Sequence, residues 1–164
     1  LIPSDKPPVL ELAAEILGSQ AGLASGAKAE LIRQGLARLF KLREIQPEIV
    51  STLIVSRERE GSCIECANLL AALLRSQKIA SRITVGLRVD PKSGKSNFHS
   101  WVQAWIEDRW VDLDASSIDG CDMSYIAMRA HSGSGENFYT DFLAIFKLIR
   151  KLGSVSISRV EKSE

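Results

Sequence analysis

The sequence predicts an α+β domain in which helices pack on a small antiparallel sheet. Three observations carry that expectation. Helical periodicity dominates roughly the first half of the chain, strand-like alternation dominates the stretch after residue 80, and a last amphipathic helix precedes one more strand-like run. No alternation of strand, helix and parallel strand is visible, which argues against a βαβ architecture. The 164 residues suit one domain, and 45% apolar with 25% charged residues describes a chain able to bury a core. The domain is therefore expected to span 1–164.

Residues 1–8 read as a proline-bearing, extended arm. Val9, Leu12, Ala13, Ile16 and Leu17 recur at helical spacing, and Gly18 offers a stop. A second helix is expected over 27–43, with Ile32, Leu36, Leu39 and Phe40 as its apolar stripe and Pro47 closing the unit. Gly35 weakens it slightly. Residues 48–55 combine β-branched content with a short helical pattern, and are taken as helix. Ser62 followed by Glu65 forms a capping box, so the alanine- and leucine-rich run 63–77 is the best-marked helix in the chain.

From 81 to 90 the residues alternate, with Ile83, Val85, Leu87 and Val89 on one face. Residues 97–107 and 109–116 form two further strands, joined so tightly that an antiparallel hairpin is expected. A short strand is expected over 124–128. The last helix, 139–152, turns Phe142, Ile145, Phe146 and Ile149 inward and ends at Gly153. Residues 154–158 add an edge strand.

Charge and composition narrow the function. Twenty-one basic and twenty acidic residues leave a net charge of +1 with no basic cluster, which speaks against a nucleic-acid partner. No apolar run approaches the ~18–20 residues of a membrane span, so no membrane insertion by this segment is expected. The sequence begins with Leu1, and its first residues resemble no signal peptide. The expectation is a domain excised from a longer protein, with the compartment left open; an extracytoplasmic part of a larger bacterial protein is compatible with it. Three cysteines, an odd number, leave at least one thiol unpaired within a monomer.

Cys63 lies in the first turn of the capped helix. The unpaired N–H groups and the positive end of the helix dipole there favour a thiolate, the nucleophilic form. His99 sits on a strand between Phe98 and Trp101, and Asp114 ends the partner strand. Registers of one parity put His99 and Asp114 on the same sheet face. A turn at Ile106–Glu107 sets them directly opposite, whereas a turn at Asp108–Arg109 sets Gln103 opposite Asp114. The register stays open, and Asp112 shares the Asp114 face as the fallback. In the reading this suggests, Cys63 attacks an acyl carbon, His99 moves the proton and Asp114 orients the imidazole. The Cys63 N–H is a candidate oxyanion donor; no second donor is identifiable.

These segments resemble the transglutaminase-like superfamily. Gly61-Ser62-Cys63-Ile64-Glu65-Cys66-Ala67, running through 69–75 into Ile79-Ala80-Ser81-Arg82-Ile83, is similar to that family's cysteine segment: a Gly-x-Cys opens a helix ending in arginine, and an Ile-x-x-Arg strand follows. His99-Ser100-Trp101 and Trp110-Val111-Asp112-Leu113-Asp114 are similar to its histidine and aspartate segments, in the same order. The resemblance covers about 5–160. It implies a papain-like core, a site of Cys63, His99 and Asp114, and thiol-dependent acyl transfer on an amide of a peptide or protein, without metal or organic cofactor. Cys66 stands where relatives often have an aromatic residue or histidine, and nothing matches the calcium sites or upstream tryptophan of animal transglutaminases. The likeness is thus to the compact, mostly microbial branch, which includes proteases and amidases, so hydrolysis is favoured over cross-linking.

Other readings compete. Cys63-Ile64-Glu65-Cys66 is also a Cys-x-x-Cys, which suggests a dithiol redox site, but the parallel βαβ pattern of a thioredoxin-like fold is missing. Zinc held by Cys63, Cys66, Cys121 and a histidine is possible by ligand type, though the spacings match no compact zinc module. A non-catalytic module that keeps the fold to bind a peptide or partner is the remaining class. Cys66 is expected in the core, Cys121 in a polar loop, open to pairing with Cys66, and His131 in solvent. Trp101 and Trp105 are expected to pack on the sheet or line the acyl site.

Overall fold

The computed structural model describes residues 2–46, 50–90, 92–122, 124–133 and 137–152. Two helices, α1 (Pro7–Leu17) and α2 (Ser25–Leu39), lead into a two-residue strand β1 (Lys41–Leu42). Helix α3 (Thr52–Glu58) and strand β2 (Glu60–Gly61) precede α4 (Cys63–Ser76). Four longer strands follow, β3 (Ser81–Val89), β4 (Ser96–Ile106), β5 (Arg109–Leu113) and β6 (Tyr125–His131), and then α5 (Asn137–Leu152). The fold is the expected α+β arrangement with a small antiparallel sheet.

Helix α4 is the centre. Every residue from Ile64 to Leu74 is buried, the signature of a helix enclosed on all sides. Helices α1, α2 and α3 pack against it, and so do β3 and β4. Ile83, Val102, Ala104 and Leu113 close the same core from the sheet. At the α4 C-terminus Arg75 donates to the carbonyls of Ser81 (2.7 Å) and Ser132 (2.6 Å), tying the helix to the chain at β3 and just past β6. No helix among the described residues is long and apolar enough to cross a membrane.

Several boundaries differ from expectation. Pro7 and Pro8 belong to α1 rather than to an arm, because proline suits the first helical turn. Helix α2 stops at Leu39, since Lys41 and Leu42 leave it to pair in parallel with Glu60 and Gly61. That pairing spans about 20 residues and has no local signal. Helix α3 starts later than expected, after Ser51, whose side chain accepts from Leu53 N at 3.4 Å. Pro47, Gly153 and the expected strand 154–158 lie outside the described residues, as does the inward placement expected of Phe142. Gly35 has a packing reason: a Cβ there would lie 2.4 Å from Ile16, where α1 and α2 cross.

The sheet order is β5-β4-β3-β6, antiparallel throughout. Glu107 and Asp108, with φ of 49° and 59°, make the β4–β5 turn, a geometry suited to a two-residue hairpin. Gln103 therefore pairs with Asp112, a register between the two considered from sequence and of the parity that puts His99 and Asp114 on one face. Between β3 and β6 the register slips by one residue: Val85 faces Arg129, but Gly86 faces Ala127. This is a β-bulge at Met128. Gly86 permits it, because a Cβ there would lie 2.0 Å from the Ile126 carbonyl oxygen.

Gly86→Ala is expected to destabilise the fold by about 1–3 kcal/mol through that clash. Urea unfolding measures it, and an unchanged midpoint would show that β3 and β6 do not approach so closely.

Candidate active site

The N-terminus of α4 is built around one carboxylate. Ser62 and Glu65 form a reciprocal capping box, with Ser62 N donating to Glu65 Oε2 at 2.7 Å. Glu65 is only 2% exposed and also accepts from Arg43 Nη2 (2.9 Å) and from Val50 N (2.7 Å). The segment after β1, the approach to α3 and the first turn of α4 are thus fastened to one group. Cys63, half-buried, is the first residue of that turn.

His99 lies on β4 opposite Gly86 of β3. Its Nε2 meets Asp114 Oδ2 at 2.8 Å, with Ser116 Oγ at 3.2 Å. Cys63 lies close enough to His99 to bear on its ionisation, and with Nε2 engaged, Nδ1 is the ring nitrogen left for the thiol. The three residues marked in the sequence therefore stand together, with His99 hydrogen-bonded to Asp114 and the Cys63 thiol beside the imidazole. Asp112, the fallback, instead accepts from Trp101 Nε1 at 2.7 Å. Trp101 is buried and stacks on His99, with centroids 6.3 Å apart and planes at 16°. Trp105 is exposed further along β4.

Asp114 is held from several sides. Its Oδ1 accepts from Ser116 N at 2.8 Å, and Oδ2 also accepts from the Tyr125 hydroxyl at 2.7 Å. Behind it, buried Arg33 of α2 donates to the carbonyls of Asp114 (3.2 Å), Ser117 (2.8 Å) and Ile118 (3.1 Å). Arg33 is oriented in turn by two bonds that it donates to the Glu30 carboxylate. The sequence marked neither residue for the site. Glu30 and Arg33 could be seen as a helical i, i+3 pair, but its aim at a loop 81 residues away could not.

Burial by itself would raise the Asp114 pKa, yet hydrogen bonds from His99, Ser116 and Tyr125 hold it below the usual carboxylate value. For His99, burial works against the charged ring. It is outweighed by the hydrogen bonds to Asp114 and Cys63 and by their charges, and the pKa rises to about 9. The site thus favours an imidazolium at neutral pH. Burial pushes the thiols of Cys66 and Cys121 well up. Cys66 is in the core as expected, 1% exposed, which disfavours dithiol exchange with Cys63. All three cysteines are free. Among the described residues no group of three or more His, Cys, Asp or Glu is placed to hold a metal. His131 is not in a solvated loop; it pairs with Ile83 as the last residue of β6. A cleft of about 570 Å³ opens at His99, lined also by Arg88, Asn97, Phe98, Asp119 and Asp122.

The folded protein keeps a proton on His99 to about pH 9, whereas an unfolded chain loses it near 6.5. More protons are bound folded than unfolded between those values, so stability must fall as pH rises through this window. Urea denaturation from pH 6.5 to 9 is expected to show a loss on the order of 3 kcal/mol, and His99→Gln to flatten it. Equal slopes in the two proteins would contradict the pairing.

A family model, the transglutaminase-like superfamily, matches residues 11–115. No curated protein matches the chain. Several solved structures share its fold. A proposed cysteine protease from Cytophaga hutchinsonii aligns with a TM-score of 0.63 at 21% identity, over 79% of this chain and 43% of that one. The periplasmic domain of TgpA from Pseudomonas aeruginosa gives 0.52 at 21%, over 67% and 42%. A TGase gives 0.50 at 13%, over 84% and 37%. The chain spans less than half the length of each. The family match runs from within α1 to the residue after Asp114, through α2, α3, α4 and the β4–β5 hairpin, and the chain belongs to the transglutaminase-like superfamily.

Proposed function

We propose that the chain performs thiol-dependent acyl transfer on an amide of a peptide or protein, with Cys63 as nucleophile, His99 as general base and acid, and Asp114 as orienter. The observation that carries the reading is the hydrogen bond of His99 to Asp114 with the Cys63 thiol beside the same imidazole. A thiol alone at a helix start would not support it. A thiol beside an imidazole whose far nitrogen is held by a buried carboxylate supports it, because each group has one job in the same proton path.

The chemistry balances as follows. The Cys63 sulfur, its proton carried by His99, forms a bond to the amide carbon. The tetrahedral oxyanion is offered the Cys63 N–H at the positive end of α4. As the C–N bond breaks, His99 gives its proton to the departing amine. Water then attacks the thioester and gives a proton to His99, and the S–C bond breaks to release the carboxylic acid and restore the site. The cleft on the His99 side is where the amine would leave and water enter, since His99 handles both protons. Among the described residues no amine-binding group is identified at the site, so hydrolysis is the favoured outcome over amine incorporation. The names of the neighbours, which include a proposed protease and a TGase, fit acyl transfer in either form.

Two measurements test this. Iodoacetamide at neutral pH is expected to label Cys63 at least about tenfold faster than Cys121, and His99→Ala to slow the labelling of Cys63 itself. Equal rates at Cys63 and Cys121 would refute a thiolate–imidazolium pair. A peptide and glutamine-carboxamide library scored for both hydrolysis and amine incorporation should lose all turnover in Cys63→Ala. Turnover that survives would refute Cys63 as the nucleophile, and none in either protein would favour a peptide-binding module.

A further inference from the structure

Tyr125 opens β6, two strands away from His99, yet its hydroxyl reaches the oxygen of Asp114 that the imidazole uses. Its ring stands edge-on to His99 (5.6 Å between centroids, 69°) and to Trp101 (5.4 Å, 80°). His99 is therefore held between an aromatic plane and an aromatic edge. The β-bulge decides this placement. Beyond it Tyr125 pairs with Arg88 and Ala127 with Gly86, the strand positions that share a face with His99. Without the extra residue at Met128 the register of Val85 with Arg129 would continue. Every side chain from Tyr125 to Ala127 would then turn to the opposite face, and no hydroxyl would reach Asp114. Bulges recur beside active sites because they re-aim a side chain, and Gly86 is the residue that lets this one form.

We propose that Tyr125 is a positioning residue: its hydroxyl shares Asp114 Oδ2 with His99 and thereby fixes the carboxylate, and through it the imidazole, facing Cys63. This rests on the reading of Cys63, His99 and Asp114 given above and extends it. Two consequences follow from the geometry. With Ser116 N on Oδ1 and the phenol on Oδ2, the carboxylate cannot rotate away from Nε2. The phenol also withdraws charge from the oxygen facing His99 and so limits how basic the imidazole becomes. The hydroxyl stays a donor, because burial, and then Asp114, push its own pKa up. The other titratable or charged groups around this centre are Cys63 and Cys66 of α4, Arg33 of α2, Cys121 ahead of β6 and, across the Tyr125 ring at 5.4 Å, Arg88 of β3.

The test is the titration of His99 by NMR in the whole chain, assigned against His99→Gln. Tyr125→Phe keeps the ring and removes the donor. The His99 midpoint is expected to rise by about half a unit, and Cys63 alkylation near pH 7 to slow by about 5- to 100-fold. Replacing the tyrosines by 3-fluorotyrosine in a Tyr139→Phe background leaves a single, more acidic phenol at Tyr125, and the midpoint is expected to fall. That protein also carries the test should Tyr125→Phe not fold. A midpoint unmoved in both proteins would overturn the proposal, even if melting temperature changes, since a merely structural ring would affect stability alone. If wild-type Cys63 labelling does not depend on His99, the acyl-transfer reading fails, while the His99 titration still reports on the Tyr125 contact.

Discussion

A carboxylate that is nearly removed from water must be met by donors on several sides, and at Glu65 those donors come from separate stretches of chain. Arg43 follows β1, Val50 N precedes α3, and Ser62 N begins the turn into α4. The cost of burying the charge is offset only when all of them arrive together, so the approach to α4 has one workable arrangement. That arrangement sets the direction in which α4 leaves its cap, and α4 is the helix against which α1, α2, α3, β3 and β4 all pack. The first turn of this helix carries Cys63. The polar contact that fixes the core and the one that places the thiol are the same.

The opposite wall is organised by a second buried carboxylate. Asp114 directs its side chain to His99, Ser116 and Tyr125, while its backbone carbonyl is drawn towards Arg33. The loop at 114–118 is thus pinned to α2 rather than left as a free hairpin end. An imidazole given a fixed anionic partner and a nearby thiol keeps its proton well above its ordinary range. Two carboxylates, one under the thiol and one behind the imidazole, therefore bracket the proposed chemistry, and neither is placed by contacts within its own element alone.

Much of this was legible in the residues. The capping box and the unbroken apolar run announced α4, and alternation announced β3. The tight link after Ile106 announced the β4–β5 hairpin, because such patterns arise from interactions within a few residues. Cys63, His99 and Asp114 could be named because each stands at a marked position on its element. The hairpin register was open, since several turns fit the same few residues, and the structure places the turn at Glu107–Asp108. The β1–β2 pair was invisible: two residues after a helix carry no periodicity, and their partner is about 20 residues on. His131 was misjudged for a similar reason, because β6 is recognisable mainly through its pairing with β3.

By itself, then, the sequence determined the α+β class, the buried helix with its capped start, and the identity of the three residues that meet. Those features follow from short-range periodicity and from residue chemistry. Only the tertiary structure decided which hairpin register joins His99 to Asp114, that Arg33 and Tyr125 hold Asp114, and that Glu65 gathers segments lying before its own helix. Each of these depends on contacts between residues far apart in the chain. The slip at Met128 is the sharpest case: one unpaired residue reverses which face Tyr125 occupies, and whether a strand bulges depends on the strand beside it.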